Sequence, residues 1–343
     1  MSTERAHPLS PLHDEEAARG DDQVAANALP QYGFSDAVTA RLINLSENAT
    51  YLIKDPGSGK DGVLRVHREG YHPLASIESE LDWLSALREE SDVCTSSVVP
   101  TSDGRRVVAT HIKGVERYAV LFEVAPGLEP DELALDPQSF ARLGQITAQL
   151  HEHARTWRRP EGFTRFAWDW THALGDDPRW GRWHDGIGVG PEESSALGAA
   201  AELIQTRLAN YGDGPDRFGL VHADLRLANL LIDGDCVNVI DFDDCGYSWY
   251  MYDFGTAASF LEADPLLPHW QAAWLRGYRS IAALSAQDED MLATFVMLRR
   301  LLLVAWMGSH SHSHECQTKG PGYTQASLPL ARRYVASGGT SLF

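Results

Sequence analysis

The stretch LVHADLRLANLLIDGDCVNVIDFDD, residues 220–244, carries three oxygen-bearing side chains, Asp224, Asn229 and Asp241, at spacings that a hairpin can gather. Two apolar runs, ANLLI and CVNVID, flank Asp233-Gly234-Asp235, a tight-turn signal. With a loop of two to four residues, Asn229 opposes a residue between 238 and 240, and Asp241 lies one to three positions beyond that partner. Neighbouring strands run roughly 5 Å apart, so an amide oxygen and a carboxylate converge at the open end. Asp224, five residues before Asn229, enters the same mouth. Mg²⁺ is a hard ion that takes oxygen ligands and completes its shell with water and substrate phosphates. One carboxylate and one amide suit it, and a second carboxylate left uncommitted can orient and deprotonate a hydroxyl.

Asp-Phe occurs twice here, at Asp241-Phe242 and at Asp253-Phe254, and the second copy reads Asp-Phe-Gly. The pattern His222-x-Asp224-x4-Asn229, followed by an apolar strand and Ile240-Asp241-Phe242, resembles the phosphotransferase family of aminoglycoside, choline and homoserine kinases. That family shares the protein-kinase fold, and the spacing matches the kinase catalytic loop. The resemblance implies that Asp224 is the catalytic base, that Asn229 and Asp241 bind Mg²⁺, and that His222 supports the loop. It implies that Asp253 braces the catalytic loop through backbone hydrogen bonds, so the literal Asp-Phe-Gly is a decoy. Asp243 and Asp244 stay open between a metal shell, a lure for a cationic acceptor and solvated turn residues.

A kinase-like fold needs a cation on its third strand for the nucleotide's phosphates and a helical glutamate to hold it. In GVLRVHREG that position is Arg65, where most relatives have Lys, and its partner in ESELDWL is Glu80, with Glu78 second. The turn LSENATY has no glycine; backbone amides around Glu47, Asn48 and Ala49 are the candidates to cover phosphates. The hinge VLFEVAPG should present backbone groups of Glu123 and Val124 to adenine. PGSGKDG is no Walker A loop, because Lys54 stands at the required first glycine and Asp61 follows Lys60.

The elements that must position these residues are legible from patterning. Three β-rich runs (AVTARLINL, ATYLI, GVLRV) precede a helical pattern, LASIESELDWLSALREE, and two further strands, RRVVATHI and RYAVLFEVA. Beyond PGLEPDELALDP the texture turns helical, with Phe140, Leu143, Thr147, Leu150 and Ala154 on one stripe, a helix from Pro191 to Gly212, and helices over 268–284 and 286–308. The expected fold is α+β: a protein-kinase-like two-lobe fold with a flexible acidic tail at 1–30, a nucleotide-binding β-rich lobe at 31–126, and a mainly helical lobe at 127–343 holding the catalytic loop and acceptor site.

A chain of 343 residues with 43% hydrophobic residues is globular. Its net charge of −19 argues against nucleic acid or an anionic membrane as partner and suits a cationic or neutral small substrate. Cys94, Cys236, Cys245 and Cys316 form no C-x-x-C pair and read as reduced thiols. The polar N-terminus has no apolar signal core, and the longest apolar run, LATFVMLRRLLLVAWMG, is interrupted by Arg299 and Arg300, so a cytoplasmic protein is expected. HEHAR at 151–155 lacks the second His of a zinc motif, and SHSHSHE at 309–315 reads as a ragged helix end. Trp168 in the tryptophan-rich segment, and Glu262 in LEAD, are further candidates for an acceptor site.

The expected activity is transfer of the γ-phosphate of ATP (or GTP), with Mg²⁺, to a hydroxyl of a small molecule such as an aminoglycoside, amino alcohol, homoserine-like compound or sugar. The alternatives are a serine/threonine protein kinase of the bacterial stress-response type and a nucleotide-binding pseudokinase, for which Arg65 and the glycine-free turn leave room.

Overall fold

A computed structural model describes residues 11–45, 48–130, 135–234, 236–310 and 314–343. The elements run α1 (Pro11–Ala28), β1 (Thr39–Leu45), β2 (Ala49–Asp55), β3 (Lys60–Val66), α2 (Leu74–Glu90), β4 (Cys94–Thr95), β5 (Val98–Val99), β6 (Val108–Ile112) and β7 (Val115–Phe122). They continue with α3 (Pro137–Thr156), α4 (Trp170–Ala173), α5 (Pro191–Tyr211), β8 (Phe218–Val221), β9 (Leu230–Asp233), β10 (Cys236–Val239) and β11 (Gly246–Trp249). Helices α6 (Tyr252–Ala257), α7 (Leu267–Arg279), α8 (Ala286–Asp290), α9 (Leu292–Ser309) and α10 (His314–Ala336) complete the chain, the last broken at Gly320.

This is the two-lobed α+β architecture of the protein-kinase fold. The small lobe is an antiparallel sheet in the order β1-β2-β3-β7-β5, with β6 also paired to β7. Its face buries Tyr51, Ile53, Leu64, Val66 and Leu121 in one cluster. The larger lobe packs α3 through α10 around a second, bigger core, and α2 contributes Ile77, Leu81, Trp83 and Leu84 to it. Helix α2 therefore belongs to the small lobe by sequence and to the large core by burial, which lets it carry Glu80 to the seam.

Two expectations change. Residues 11–28, read as part of an acidic tail, form α1, and its end buries Val24, Ala25 and Ala28 against the sheet. The acidic residues that make the segment look solvated find partners instead: Asp21 pairs with Arg117, and Tyr51 donates to Asp22 at 2.8 Å. Between α2 and β6 the chain also makes β4 and β5, and β4 pairs parallel to β10 in the other lobe, a long-range pairing of two residues that local patterning does not reveal.

Helix α9 is long and apolar enough to cross a membrane by length and composition, and 89% of that stretch is buried inside the protein. A helix that is apolar all round is a core helix when surrounded by protein. Its two arginines sit in that core because each meets a carboxylate, Arg299 on Asp224 and Arg300 on Glu262. A buried charge without such a partner would cost several kcal/mol, roughly 3–5.

Candidate active site

The hairpin sets the site's geometry. Leu230 faces Val239, Cys236 faces Asp233, and the amide of Ile240 donates to the Asn229 carbonyl at 3.0 Å. Asp241 thus lies one residue past the partner of Asn229. Gly234, at φ +55°, supplies the left-handed conformation of the two-residue turn.

Asp253 stands behind the loop that leads into this hairpin. Its carboxylate accepts from the amides of His222 (3.2 Å) and Ala223 (2.7 Å), and His151 Nε2 lies 3.1 Å away. The braced amide matters because Ala223 is held at φ +65°, a conformation that costs an alanine about 1–2 kcal/mol. His222 fills out the support: its Nδ1 accepts from the Asp224 amide at 3.2 Å, and Nε2 donates to the Ile240 carbonyl at 3.2 Å. That pair of bonds requires the neutral ring, and burial accordingly holds the His222 pKa down. Asp253→Ala would orphan two buried amide donors at about 1–3 kcal/mol each. A thermal melt should show a transition lowered by several degrees, whereas a variant melting like the wild type would remove the bracing role.

Asp224 is fixed through both oxygens. Oδ2 accepts from Asn229 Nδ2 at 2.7 Å and Arg226 Nε at 3.2 Å, while Oδ1 accepts from the Arg299 guanidinium. Burial alone would raise the carboxyl pKa, but Arg299, Arg226 and His222 together outweigh it, and the group stays below the usual carboxylate range. Asn229 spends its amide nitrogen on Asp224, on the carboxylate and on the backbone carbonyl (2.9 Å), which leaves its amide oxygen as the atom able to meet a cation.

Asp241, at φ +61°, faces an open polar cavity shared with Asp224, Asp243, Asp244, Asn48 and Arg226. Enclosure by the protein raises its pKa against the pull of Arg65, with Asp243 and Asp224 adding to the rise. A carboxylate that resists ionising beside an amide oxygen, in a cavity rimmed by carboxylates, is a donor set short of one positive charge. Hard oxygens fit Mg²⁺. No group of three His, Cys, Asp or Glu among the described residues forms a self-sufficient metal cage, so water and phosphate oxygens would complete the shell.

Arg65 links three elements. One guanidinium nitrogen bonds both oxygens of Glu80, at 2.7 and 2.8 Å, and the other lies 3.4 Å from Asp241. Glu78 is engaged elsewhere, by Arg106 at 2.5 Å. The planar fork lets this arginine span the helical glutamate and the Asp241 side together.

Several expected residues take other places. Asp243 is neither a solvated turn residue nor open to an acceptor. It is buried, accepts from Asn48 Nδ2 at 2.7 Å, and lies 3.3 Å from His72 Nε2 and 3.5 Å from His67 Nδ1. It joins the lobes because four small-lobe side chains, Arg65 included, converge on one carboxylate. The Asn48 side chain is thereby committed to Asp243 and to the Arg68 amide, and Glu47 lies outside the described residues. The Glu123 amide donates to the Ser97 carbonyl at 2.9 Å, and Val124 beside it is exposed. Glu262 is fully buried between Arg300 (2.7 Å) and the Tyr323 hydroxyl (2.8 Å), an anchor between α9 and α10 and no part of a pocket. Trp168 is buried behind the wall, donating from its indole to the Asp244 carbonyl at 2.9 Å.

Beyond Asp224 opens a second cavity, of about 320 Å³ of open space, walled by Trp180, Phe260, Leu303 and Trp306 with Asp244, Arg226 and Arg299 at its polar edge. Asp244 lines both cavities. Patterning missed Arg299, although two arginines in an otherwise apolar helix are a signal that a buried acid awaits them. It also selected Trp168 from a segment in which packing puts Trp180 at the cavity wall. Of the histidine-rich stretch, His310 stacks on Trp306, and residues 311–313 lie outside the description.

Comparison with known proteins matches this geometry to a family. A sequence profile of the phosphotransferase enzyme family (APH) aligns with residues 39–289. Amicoumacin kinase of Bacillus subtilis (strain 168) is 25% identical over 296 residues, covering 82% of this chain and 83% of that protein. The solved structure of a microcompartment-associated aminopropanol kinase superposes with a TM-score of 0.87 at 55% identity, over 94% of this chain and 100% of the other. The amicoumacin kinase hAmiN, solved with AMP-PNP, Ca²⁺ and Ami, shares the fold at a TM-score of 0.75 and 21% identity, over 95% and 96% of the two chains.

Proposed function

The chain belongs to the phosphotransferase enzyme family, acting with ATP on a small-molecule hydroxyl, and from that premise we propose that its acceptor is a short amino alcohol such as aminopropanol. The similarity to small-molecule kinases favours this reading over the protein-kinase and pseudokinase alternatives. The observation that carries the proposal is the second cavity, where three aromatic walls face the carboxylates of Asp224 and Asp244. Aromatic faces and a carboxylate attract an ammonium. Arg299 and Arg226 pair with Asp224, and this reading places the acceptor's hydroxyl at Asp224 and its ammonium at Asp244, beside the aromatic walls. The 55% identity to an aminopropanol kinase supports the same reading.

In this reading Asp224 receives the hydroxyl proton as the alcohol oxygen attacks the γ-phosphorus, and the bond to the departing ADP oxygen breaks. A carboxylate has about four acceptor sites, so the three donors on Asp224 leave room for the hydroxyl. Arg65, held by Glu80, supplies positive charge on the phosphate side, and the hinge offers the Glu123 carbonyl and Val124 to the base, for which adenine is proposed. Mg²⁺, when bound through the Asn229 amide oxygen and Asp241, neutralises phosphate charge. The protein's remaining contribution is positioning and fixed charge, as in phosphoryl transfer generally.

The test is an acceptor panel with purified protein, ATP and Mg²⁺. Aminopropanol should exceed propane-1,2-diol in kcat/KM by roughly 10²-fold, the scale of a hydrogen bond to a charged group. Turnover of a large aminoglycoside with none of aminopropanol would overturn the proposal.

A further inference from the structure

The acceptor cavity is built by the large lobe, yet its walls are held from the small one. The connection from β3 to α2, residues 67–73 (HREGYHP), crosses the seam and meets three cavity residues. The Tyr71 hydroxyl donates to Asp244 Oδ1 at 2.9 Å. The Trp180 indole donates to that same hydroxyl at 3.2 Å. At the other end of the connection, Arg68 Nη1 lies 2.7 Å from His310 Nε2, and the His310 ring stacks on Trp306 at 5.0 Å. Asp244, Trp180 and Trp306 are thus each held, directly or through one ring, by a segment that contributes nothing to the hairpin or the catalytic loop.

From this we infer that the β3–α2 connection sets acceptor selectivity, and that Tyr71 is the positioning residue that aims the Asp244 carboxylate at the acceptor's ammonium. The inference deepens the amino alcohol reading and rests on it. Geometry gives the reason. The Trp168 indole bonds the Asp244 backbone carbonyl and leaves the carboxylate's own orientation to its side-chain contacts. A hydroxyl on one carboxylate oxygen, itself anchored by Trp180, fixes that rotation and ties carboxylate and aromatic wall into one unit. Such preorganisation strengthens binding by removing an ordering cost, without adding a contact. The bond also crosses the lobes, so the acceptor subsite is complete only with the small lobe in place.

A packing role alone would leave a different trace. Tyr71 also packs beside His72, with ring centroids 4.3 Å apart, and under the Arg179 guanidinium at 5.5 Å. Tyr71→Phe keeps the ring and these contacts and removes only the hydroxyl.

The experiment measures both substrates' KM and kcat for the wild type, Tyr71→Phe, Asp244→Asn and the double variant, with aminopropanol and ATP. The inference expects Tyr71→Phe to raise the aminopropanol KM roughly tenfold, the low end for a hydrogen bond to a charged group, with the ATP KM within about twofold. It also expects the hydroxyl's removal to add little once Asp244 is gone, since the two act as a unit. An unchanged aminopropanol KM, an ATP KM rising in parallel, or full additivity in the double variant would each overturn it. A wild type that ignores amino alcohols would instead defeat the acceptor reading, and this inference with it.

Discussion

Asp241→Ala should lower phosphate transfer by about 10³-fold, on the scale seen when one charge-stabilising group is removed from a preorganised site, while the protein still folds. The stability side follows from the sign of the pKa shift. The folded-state pKa of Asp241 is raised, by enclosure first and then by Asp243 and Asp224. A carboxyl of raised pKa contributes stability at low pH and loses it as pH rises through the folded value. The side chain is 44% exposed, so solvent screens that effect and its share of stability is small. Alanine at φ +61° costs about 1–2 kcal/mol. The melting temperature should therefore fall by a few degrees at most while turnover collapses. Steady-state kinetics across a Mg²⁺ titration, paired with a thermal melt, read both quantities. Full turnover in a well-folded Asp241→Ala protein would remove this residue from the metal site.

Asp224→Asn should lower kcat by about 10²–10⁴-fold, the usual contribution of a positioned general base, with the ATP KM largely preserved. The amide keeps the shape but cannot take a proton, and it withdraws charge from Arg299 and Arg226. Arg299 is almost fully buried, with Ser259 and Tyr252 as its other partners. Leaving it without its carboxylate should cost stability as well, roughly 3–5 kcal/mol. This variant is therefore expected to be both slow and less stable, unlike Asp241→Ala. Single-turnover phosphate transfer at saturating ATP separates the two effects, because a merely unstable protein retains its rate per folded molecule. A normal single-turnover rate would mean that the base lies elsewhere.

The contrast between these variants reflects how the carboxylates of one cleft are treated. Asp224 and Asp243 are surrounded by cations and histidines and sit low in pKa, whereas Asp241 is left undercompensated. The proposed base and the carboxylate that joins the lobes are both satisfied by the protein. The one expected to meet a metal is satisfied only when the site is loaded, a common trade of stability for function.

Much of the site could be read along the chain. Asp224, Asn229 and Asp241 span few residues around one tight turn, and a hairpin with a two-residue loop permits little variation in register. Local chain geometry alone therefore set which three groups meet. Arg65 and Glu80 were legible through the resemblance to the kinase fold, which calls for a cation on the third strand and a glutamate on the helix that follows. Helix α1 was missed because its acidic composition mimics a solvated segment, and its partners, such as Arg117, lie far away in sequence.

The remainder was decided by tertiary structure. Asn48 and Asp243 are 195 residues apart, Arg299 and Asp224 are 75 apart, and Tyr71 and Asp244 are 173 apart. No local period encodes which of Asp243 and Asp244 turns inward, since adjacent residues beyond a strand end are separated only by what packs on them. Burial among small-lobe side chains took the first, and the cavity took the second. The chain's order of residues thus specified which polar groups share the hairpin's mouth through short-range geometry, while the packing of two lobes chose which acid is sealed and which lines the second cavity.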